Sequence, residues 1–242
     1  MKRILTRTRQ LKTKAANHFA AWLGGCVRCG AHRCSNVSPR LCKTCFDSLS
    51  GLDTLRCSCC ATRLTTDDAL CLDCIQNPLS FQSTQAFADY EGALQHMILA
   101  YKFHHQLKFA PLLADLFTVL LRQAPKQSLI IPIPQMFETT QSRGFIPLWH
   151  ILKQTDIDGH FAPDALMRIH HRNLQVSATA EQRRRQIKGA FAATCDLSDT
   201  DIVLVDDVYT TGATLNEAAK ACQQAGAKSI KCLVLARGKW LK

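Results

Sequence analysis

The 242-residue chain has no apolar run of the length a bilayer crossing needs, about 20 residues, so a membrane-spanning protein is not expected. Ala15 to Gly25 is short for the core of a secretion signal and is interrupted by Asn17 and His18, so export is not expected either. No Gly-Lys-Ser/Thr occurs, which excludes a Walker A loop, and no Gly-x-Gly-x-x-Gly occurs, which excludes the common dinucleotide fingerprint. Acid is scarce: 19 acidic residues stand against 30 Lys and Arg, a net charge of +11. The first fourteen residues carry Lys2, Arg3, Arg7, Arg9, Lys12 and Lys14 with no acid, and read as a basic arm over residues 1–25, a transit peptide being the other reading. Such a surplus suits a polyanion, and both nucleic acid and a pyrophosphate-bearing substrate qualify. Aromatic residues are few, 7% of the chain, and rarely lie among the basic ones, which leaves little of the stacking platform a dedicated single-strand binder uses.

Cysteine is what the chain has in excess. Ten of thirteen lie between Cys26 and Cys74. Cys26-x-x-Cys29 with Cys42-x-x-Cys45, and Cys57-x-x-Cys60 with Cys71-x-x-Cys74, give two sets of four thiolates, each able to close tetrahedrally on zinc. Residues 26–75 are too few to build much core, so two structural Zn²⁺ ions would supply the folding energy. Disulfides are the rival, disfavoured by the spacing and the missing export signal; iron–sulfur ligation is a smaller alternative. Cys34 and Cys59 are left over, and Cys59, between two proposed ligands, leaves the register open. Cys195, Cys222 and Cys232 lie on apparent core faces and read as small buried hydrophobes.

Residues 76–86, opening with Gln76-Asn77-Pro78, read as a linker, and residues 87–242 as a larger domain. Leu94, Ile98 and Tyr101 share one helical face; Leu112, Leu113, Leu116, Val119 and Leu120 mark a second helix with Pro111 in its first turn. Ser128 to Pro134 reads as a buried strand ending at its prolines, and Leu148 to Lys153 as a helix started by Pro147. Ile202–Val205 and Ile230–Leu235 are strands flanking a helix over Leu215–Ala225 that Gly226 stops. This alternation predicts an α/β fold, a mainly parallel sheet with helices on both faces, whose ligands sit at the carboxyl ends of strands.

The stretch from Ile202 to Thr214 carries the most chemistry. A buried strand ends in Asp206-Asp207, then comes the loop Thr210-Thr211-Gly212-Ala213-Thr214, then a helix. Such a junction aims backbone N–H groups and a helix dipole at one small volume, which suits a phosphate. Gly212 permits close approach, and the hydroxyls of Thr210, Thr211 and Thr214 add donors. The two carboxylates would repel that phosphate and fit vicinal sugar hydroxyls instead, so the stretch reads as a site for a phosphorylated sugar. Upstream, Arg143 and the backbone of Gly144 form a loop suited to a second anionic group, an incidental surface turn being the plainer reading. Between Pro163 and Gly189 a basic stretch including Arg172 and Arg183 fits a mobile lid or, equally well, a nucleic-acid-binding surface.

Asp206-Asp207-Val208-Tyr209-Thr210-Thr211-Gly212-Ala213-Thr214 resembles the signature of type I phosphoribosyltransferases, with Tyr209 where an aliphatic residue is usual. That resemblance implies phosphoribosyl pyrophosphate (PRPP), carried with Mg²⁺, as ligand: Asp206 and Asp207 on the ribose 2′- and 3′-hydroxyls, Thr210 to Thr214 on the 5′-phosphate. The whole chain from Cys26 to Arg237 resembles the ComF family, a double zinc ribbon before a phosphoribosyltransferase-like domain. The marks are the cysteine pairs, Asp89-Tyr90-Glu91-Gly92, Tyr101-Lys102-Phe103, Pro132-Ile133-Pro134, Arg143-Gly144-Phe145, Gln175, Arg183, Gly189-Ala190-Phe191 and the acidic pair. The family usually has Asn-Gln where Ile146-Pro147 stand, and Asn where Gln186 stands. Both departures bear on turnover more than on PRPP binding. The resemblance implies a cytoplasmic protein of competence, that is, DNA uptake and use, with Arg143, Gly144 and Lys102 neutralising pyrophosphate in a glycosyltransferase reaction. The alternative it leaves is a non-catalytic adaptor that answers PRPP or a nucleotide and binds single-stranded DNA or uptake partners.

Overall fold

A computed structural model describes residues 25–31, 38–135, 145–169 and 187–238. Five strands form one all-parallel sheet: β1 (Ser83–Asp89), β2 (Leu129–Pro132), β3 (His160–Phe161), β6 (Asp201–Tyr209) and β7 (Ser229–Arg237), in the order β1-β7-β6-β2-β3. A two-stranded antiparallel ribbon, β4 (Leu166–Arg168) with β5 (Phe191–Ala193), lies beside it. No described helix is long and apolar enough to cross a membrane.

Successive residues of a strand point to opposite faces, and the central strands are apolar on both, so both must be covered. Val203, Val205, Leu233 and Leu235 face one core, built with α3 (Gly92–Phe103), α4 (Ala110–Leu121) and α5 (Pro147–Leu152). Ile202, Leu204, Cys232 and Val234 face a second core, closed by α6 (Ala213–Gln224) and the β4–β5 ribbon. In α4, Leu112, Leu113, Leu116 and Phe117 are fully buried; each such side chain contributes about 1.5–3 kcal/mol relative to exposure. Helices thus cover both faces of a parallel sheet, as the alternation predicts.

Three sequence expectations need correction. β1 starts at Ser83, inside the segment read as linker, because an edge strand with Thr84 and Gln85 lacks the apolar run by which the central strands announce themselves. β6 runs on to Tyr209, so Asp206 and Asp207 lie within the strand rather than after it. What ends is its neighbour: β2 stops at Pro132 opposite Val205, and beyond that point no strand pairs with that side of β6 among the described residues. Cys195 is exposed just past β5, whereas Cys222 and Cys232 are buried as expected.

The cysteine segment makes two copies of one knuckle. In each, the first cysteine N–H bonds five residues ahead (Cys26 to Ala31 O, 2.6 Å; Cys57 to Thr62 O, 2.8 Å), and its carbonyl takes the N–H four residues on (Gly30, 2.7 Å; Ala61, 2.8 Å). Gly30 and Ala61 both hold positive φ, +79° and +56°, the bend that turns two sulfurs toward one point. The second pair of each set opens a one-turn helix, α1 (Lys43–Asp47) after Cys42 and α2 (Leu72–Gln76) after Cys71.

The two knuckles dock on opposite faces of the sheet. Cys26, Cys42 and Cys45 join the α3–α5 core, where Arg40 Nη1 donates to both carboxylate oxygens of Asp115 in α4 (2.9 and 2.8 Å) and Ser38 Oγ donates to the same carboxylate (2.5 Å). Cys57, Cys60 and Cys74 join the α6 core. Asp89, at the end of β1 and almost fully buried, receives Arg56 at 2.7 Å and Arg63 as well, while Arg56 also donates to Gly51 O and Ala61 O. A buried carboxylate is tolerable when its lone pairs are filled by charged donors in this way.

Candidate functional site

The site opens where β6 outruns β2. Asp207 turns toward α3 and meets Lys102 Nζ at 2.5 Å, both side chains being mostly buried. Asp206 is half-buried, and its Oδ1 accepts the Asp207 N–H at 2.9 Å. Burial, followed by the charge of Asp207, pushes the Asp206 carboxyl up to about 7, against the opposing pull of Lys102. Burial works against the Lys102 charge, but Asp207 and then Asp206 outweigh it and hold the ammonium above its ordinary value. The two carboxylates are therefore unlike: Asp207 is the one paired with Lys102, and Asp206 is the one held well above the usual carboxylate range.

Lys102 is placed by its neighbours. Tyr101 points inward and donates to Pro147 O at 2.9 Å, with its ring stacked on His150. Phe103 points outward. This tie between α3 and α5 holds the last turn of α3 against the open side of β6. Lys102, which the resemblance assigns to pyrophosphate, is paired here with Asp207 at the same end of the strand.

The loop after β6 is tightly determined. Gly212 caps α6 with φ +76°, and a Cβ there would fall 2.2 Å from Tyr209 Oη and 2.4 Å from Cζ. The first helical bond closes from Asn216 N–H to Gly212 O at 2.9 Å. The amides of Gly212, Thr214 and Leu215 therefore have no carbonyl a turn behind them, the usual state of a helix start and one that favours an anion. The Ala213 N–H reaches Thr211 Oγ1 at 3.4 Å. Thr210, Thr211, Gly212, Ala213 and Thr214 thus form one turn of chain at the carboxyl end of β6, as the spacing predicts. A cavity of about 350 Å³ lies behind this loop, between α6 and the second knuckle, lined by Tyr209, Gly212, Asn216, Lys188, Asn77 and Arg237 among others. It does not reach the aspartates.

Both cysteine sets converge. Cys26, Cys29, Cys42 and Cys45 hold their sulfurs within 4.8 Å of one another, and so do Cys57, Cys60, Cys71 and Cys74. The Cys29–Cys42 and Cys60–Cys71 sulfur separations are each 3.7 Å. A tetrahedron with Zn–S arms of about 2.3 Å has edges of about 3.8 Å, so the eight residues fit two structural zinc ions. The convergence favours Cys57 and Cys60 over Cys59, which is not among the four converging sulfurs and whose thiol lies near Phe81 O at 3.9 Å. Cys34, Arg143, Gly144, Gln175, Arg172 and Arg183 lie outside the described residues.

Sequence reasoning missed Arg237. It is almost fully buried, with Nε on Cys60 O (2.8 Å) and Nη1 on the carbonyls of Thr210 (2.8 Å), Tyr209 (3.2 Å) and Gly238 (2.5 Å), its guanidinium 4.3 Å from the Tyr209 ring centroid. No local pattern signals it, since its partners lie up to 177 positions away.

Comparison with known proteins agrees with this architecture. Residues 164–239 match the phosphoribosyl transferase domain, so the site belongs to a phosphoribosyltransferase-type domain carrying a cysteine-rich head. Competence protein F of Haemophilus influenzae is 27% identical over 192 residues, covering 75% of this chain and 84% of that protein. DNA utilization protein YhgH of Escherichia coli O157:H7 is 26% identical over 228 residues, covering 82% and 97%. Competence protein ComFC of Bacillus subtilis is 24% identical over 215 residues, covering 82% and 84%. With its two cysteine sets and this domain, the chain belongs to the ComF family. A Staphylococcus aureus hypoxanthine phosphoribosyltransferase structure aligns with 62% of this chain and 68% of its own, at 14% identity and a TM-score of 0.32, too distant a likeness to build on.

Proposed function

We propose that this ComF-type protein binds PRPP at the open end of β6 and transfers its phosphoribosyl group. The reading is carried by one observation, the placement of a paired carboxylate and a start-of-helix amide cluster on a single strand–loop–helix turn. The amides of Gly212 to Leu215 and the threonine hydroxyls take the 5′-phosphate, and Asp206 and Asp207 take the ribose hydroxyls. Mg²⁺ enters with the pyrophosphate as part of the substrate. In the transfer, the bond from C1 to pyrophosphate breaks, the ring passes through a cationic state, and a bond from C1 to the acceptor forms. Asp206, Asp207 and Lys102 lie together beside that ring: the carboxylates favour its positive charge, and Lys102 limits their mutual repulsion and lies within the same charged group for the departing anion. Donors and charges fixed before reaction supply the largest share of such catalysis.

The relatives' names tie them to competence and DNA utilization. Together with the net charge of +11, this supports a cytoplasmic role in DNA uptake or use. Salt-dependent DNA binding without pyrophosphate release from PRPP, across a panel of bases, amines and oligonucleotides, would instead favour the adaptor reading.

Asp206→Asn and Asp207→Asn are expected to weaken PRPP binding by about one to two orders of magnitude each, since a hydrogen bond to a charged group is worth about 1.5–3 kcal/mol. Titration calorimetry checks this, with thermal unfolding alongside, because removing Asp207 also strands Lys102. Unchanged affinity in both variants sinks the reading. A pH series adds a second test. The Asp206 carboxyl, raised by burial and Asp207 to about 7, must be ionised to accept two hydroxyls, so PRPP affinity should climb as pH rises through 7 and level off above it. Asp206→Asn should flatten that rise. The linked stability effect has the opposite sign: the folded state holds this proton where the unfolded chain has lost it, so stability contributed by the neutral acid is lost as pH climbs from about 4 through about 7.

A further inference from the structure

We propose that Arg237 is a positioning residue that orients the phosphate loop and makes its anion-binding geometry depend on the second cysteine set. The inference rests on the phosphate-binding reading of residues 210–214. An anion site made of backbone amides fails if the neighbouring carbonyls face the anion, because each carbonyl oxygen carries the same sign of charge. Here the two carbonyls that begin the turn, of Tyr209 and Thr210, are both drawn to Arg237 Nη1, at 3.2 and 2.8 Å, and Gly238 O joins them at 2.5 Å. With these oxygens gathered behind the loop, the amides that follow are left for the phosphate side.

The same side chain supports the turn from beneath. Its guanidinium lies 4.3 Å from the Tyr209 ring centroid, and the hydroxyl end of that ring packs so closely under Gly212 that no side chain fits there. Arg237 thus holds Tyr209, and Tyr209 shapes the αL turn at Gly212. Tyr209 stands where the resembled signature has an aliphatic residue, so the ring and the stacked guanidinium form a unit of this chain.

Arg237 Nε donates to Cys60 O at 2.8 Å, and Cys60 Sγ belongs to the second set, 3.7 Å from Cys71 Sγ. Ala61 holds a φ of +56° that its Cβ disfavours, and a common partner for the four thiolates would help to secure that bend. If the set opens, the Cys60 carbonyl leaves its place, and the guanidinium loses one of the contacts that aim it. The first set, on the opposite face of the sheet, makes no contact with Arg237 among the described residues.

The test uses full-length protein and two ligands, ribose 5-phosphate and Mg²⁺–pyrophosphate. In Arg237→Met, ribose 5-phosphate should bind at least about tenfold more weakly, while Mg²⁺–pyrophosphate stays within about twofold; Arg237→Lys, which keeps a cation beneath the carbonyls, should fall between. Equal weakening of both ligands, or ribose 5-phosphate binding within about twofold of wild type, overturns the proposal. Hydrogen exchange supplies a readout that needs no ligand and no folded Arg237→Met. Cys71→Ser should speed amide exchange at residues 209–214 by about tenfold or more, whereas Cys29→Ser should not. No change, an equal change in both variants, or a rise spread evenly over β6 and β7 overturns the coupling. If wild type binds neither PRPP nor ribose 5-phosphate, the proposed function fails, and the exchange result still decides the coupling.

Discussion

Gly212→Ala should abolish ribose 5-phosphate and PRPP binding without unfolding the sheet. Two independent effects add. A φ of +76° costs an L-residue about 1–2 kcal/mol, and the new Cβ would lie 2.2 Å from Tyr209 Oη, far inside contact distance. The tyrosine cannot retreat easily, because it is almost fully buried against Arg237. The loop must then move, carrying with it the amides of Thr214 and Leu215. Displacements of about 1 Å at a binding turn can cost two orders of magnitude. Calorimetric titration together with circular dichroism separates lost binding from lost fold. The double variant Tyr209→Val/Gly212→Ala removes the overlap and leaves only the backbone term, so it should recover part of the affinity. Wild-type affinity in Gly212→Ala would show that the loop does not meet the phosphate.

The second large effect is metal loss. Purified protein should contain two zinc ions per chain, and chelation should unfold residues 25–76 while leaving most of the parallel sheet intact. The described residues of this segment bury few apolar side chains of any size apart from Leu41 and Leu49, so the metal is expected to supply most of their folding energy. Zinc in small fingers contributes about 10–16 kcal/mol at neutral pH. Elemental analysis and hydrogen exchange before and after chelation test this. A thiol titration in denaturant separates zinc from the disulfide rival: zinc leaves all thirteen cysteines reactive, whereas disulfides would hide the eight of the two sets. A metal-free protein with an unaltered melting curve would end the zinc reading.

Much of this could be read along the chain because it is local. Cys-x-x-Cys spacing is set by one knuckle, the Asp206 to Thr214 stretch by one turn, and the helices carrying Leu94, Leu112 and Leu148 by periodicity within a dozen residues. What escaped is what depends on distant partners. β1 was hidden because an edge strand pairs on one side and needs no continuous apolar run. The Lys102–Asp207 pair joins a helix and a strand more than a hundred positions apart, and neither residue type announces its mate. Asp89 stood out as a family mark, yet its partners Arg56 and Arg63 had no signal of their own. Arg237 closes the apolar run of β7 and looks like an ordinary base at a strand end, and only the folded chain brings the Cys60, Tyr209 and Thr210 carbonyls around it.

The flank of the sheet has a further consequence. β1 is the outermost strand on one side, and the cysteine segment shields it: Thr84 N–H bonds to Ser58 O at 3.1 Å and Asp89 N–H to Ser50 O at 2.8 Å. On the far side β3 is only two residues long, too little to template another strand. Stripping the metals would therefore bare the longest sheet margin among the described residues, and the demetallated form should self-associate through strand addition, a liability the head keeps covered.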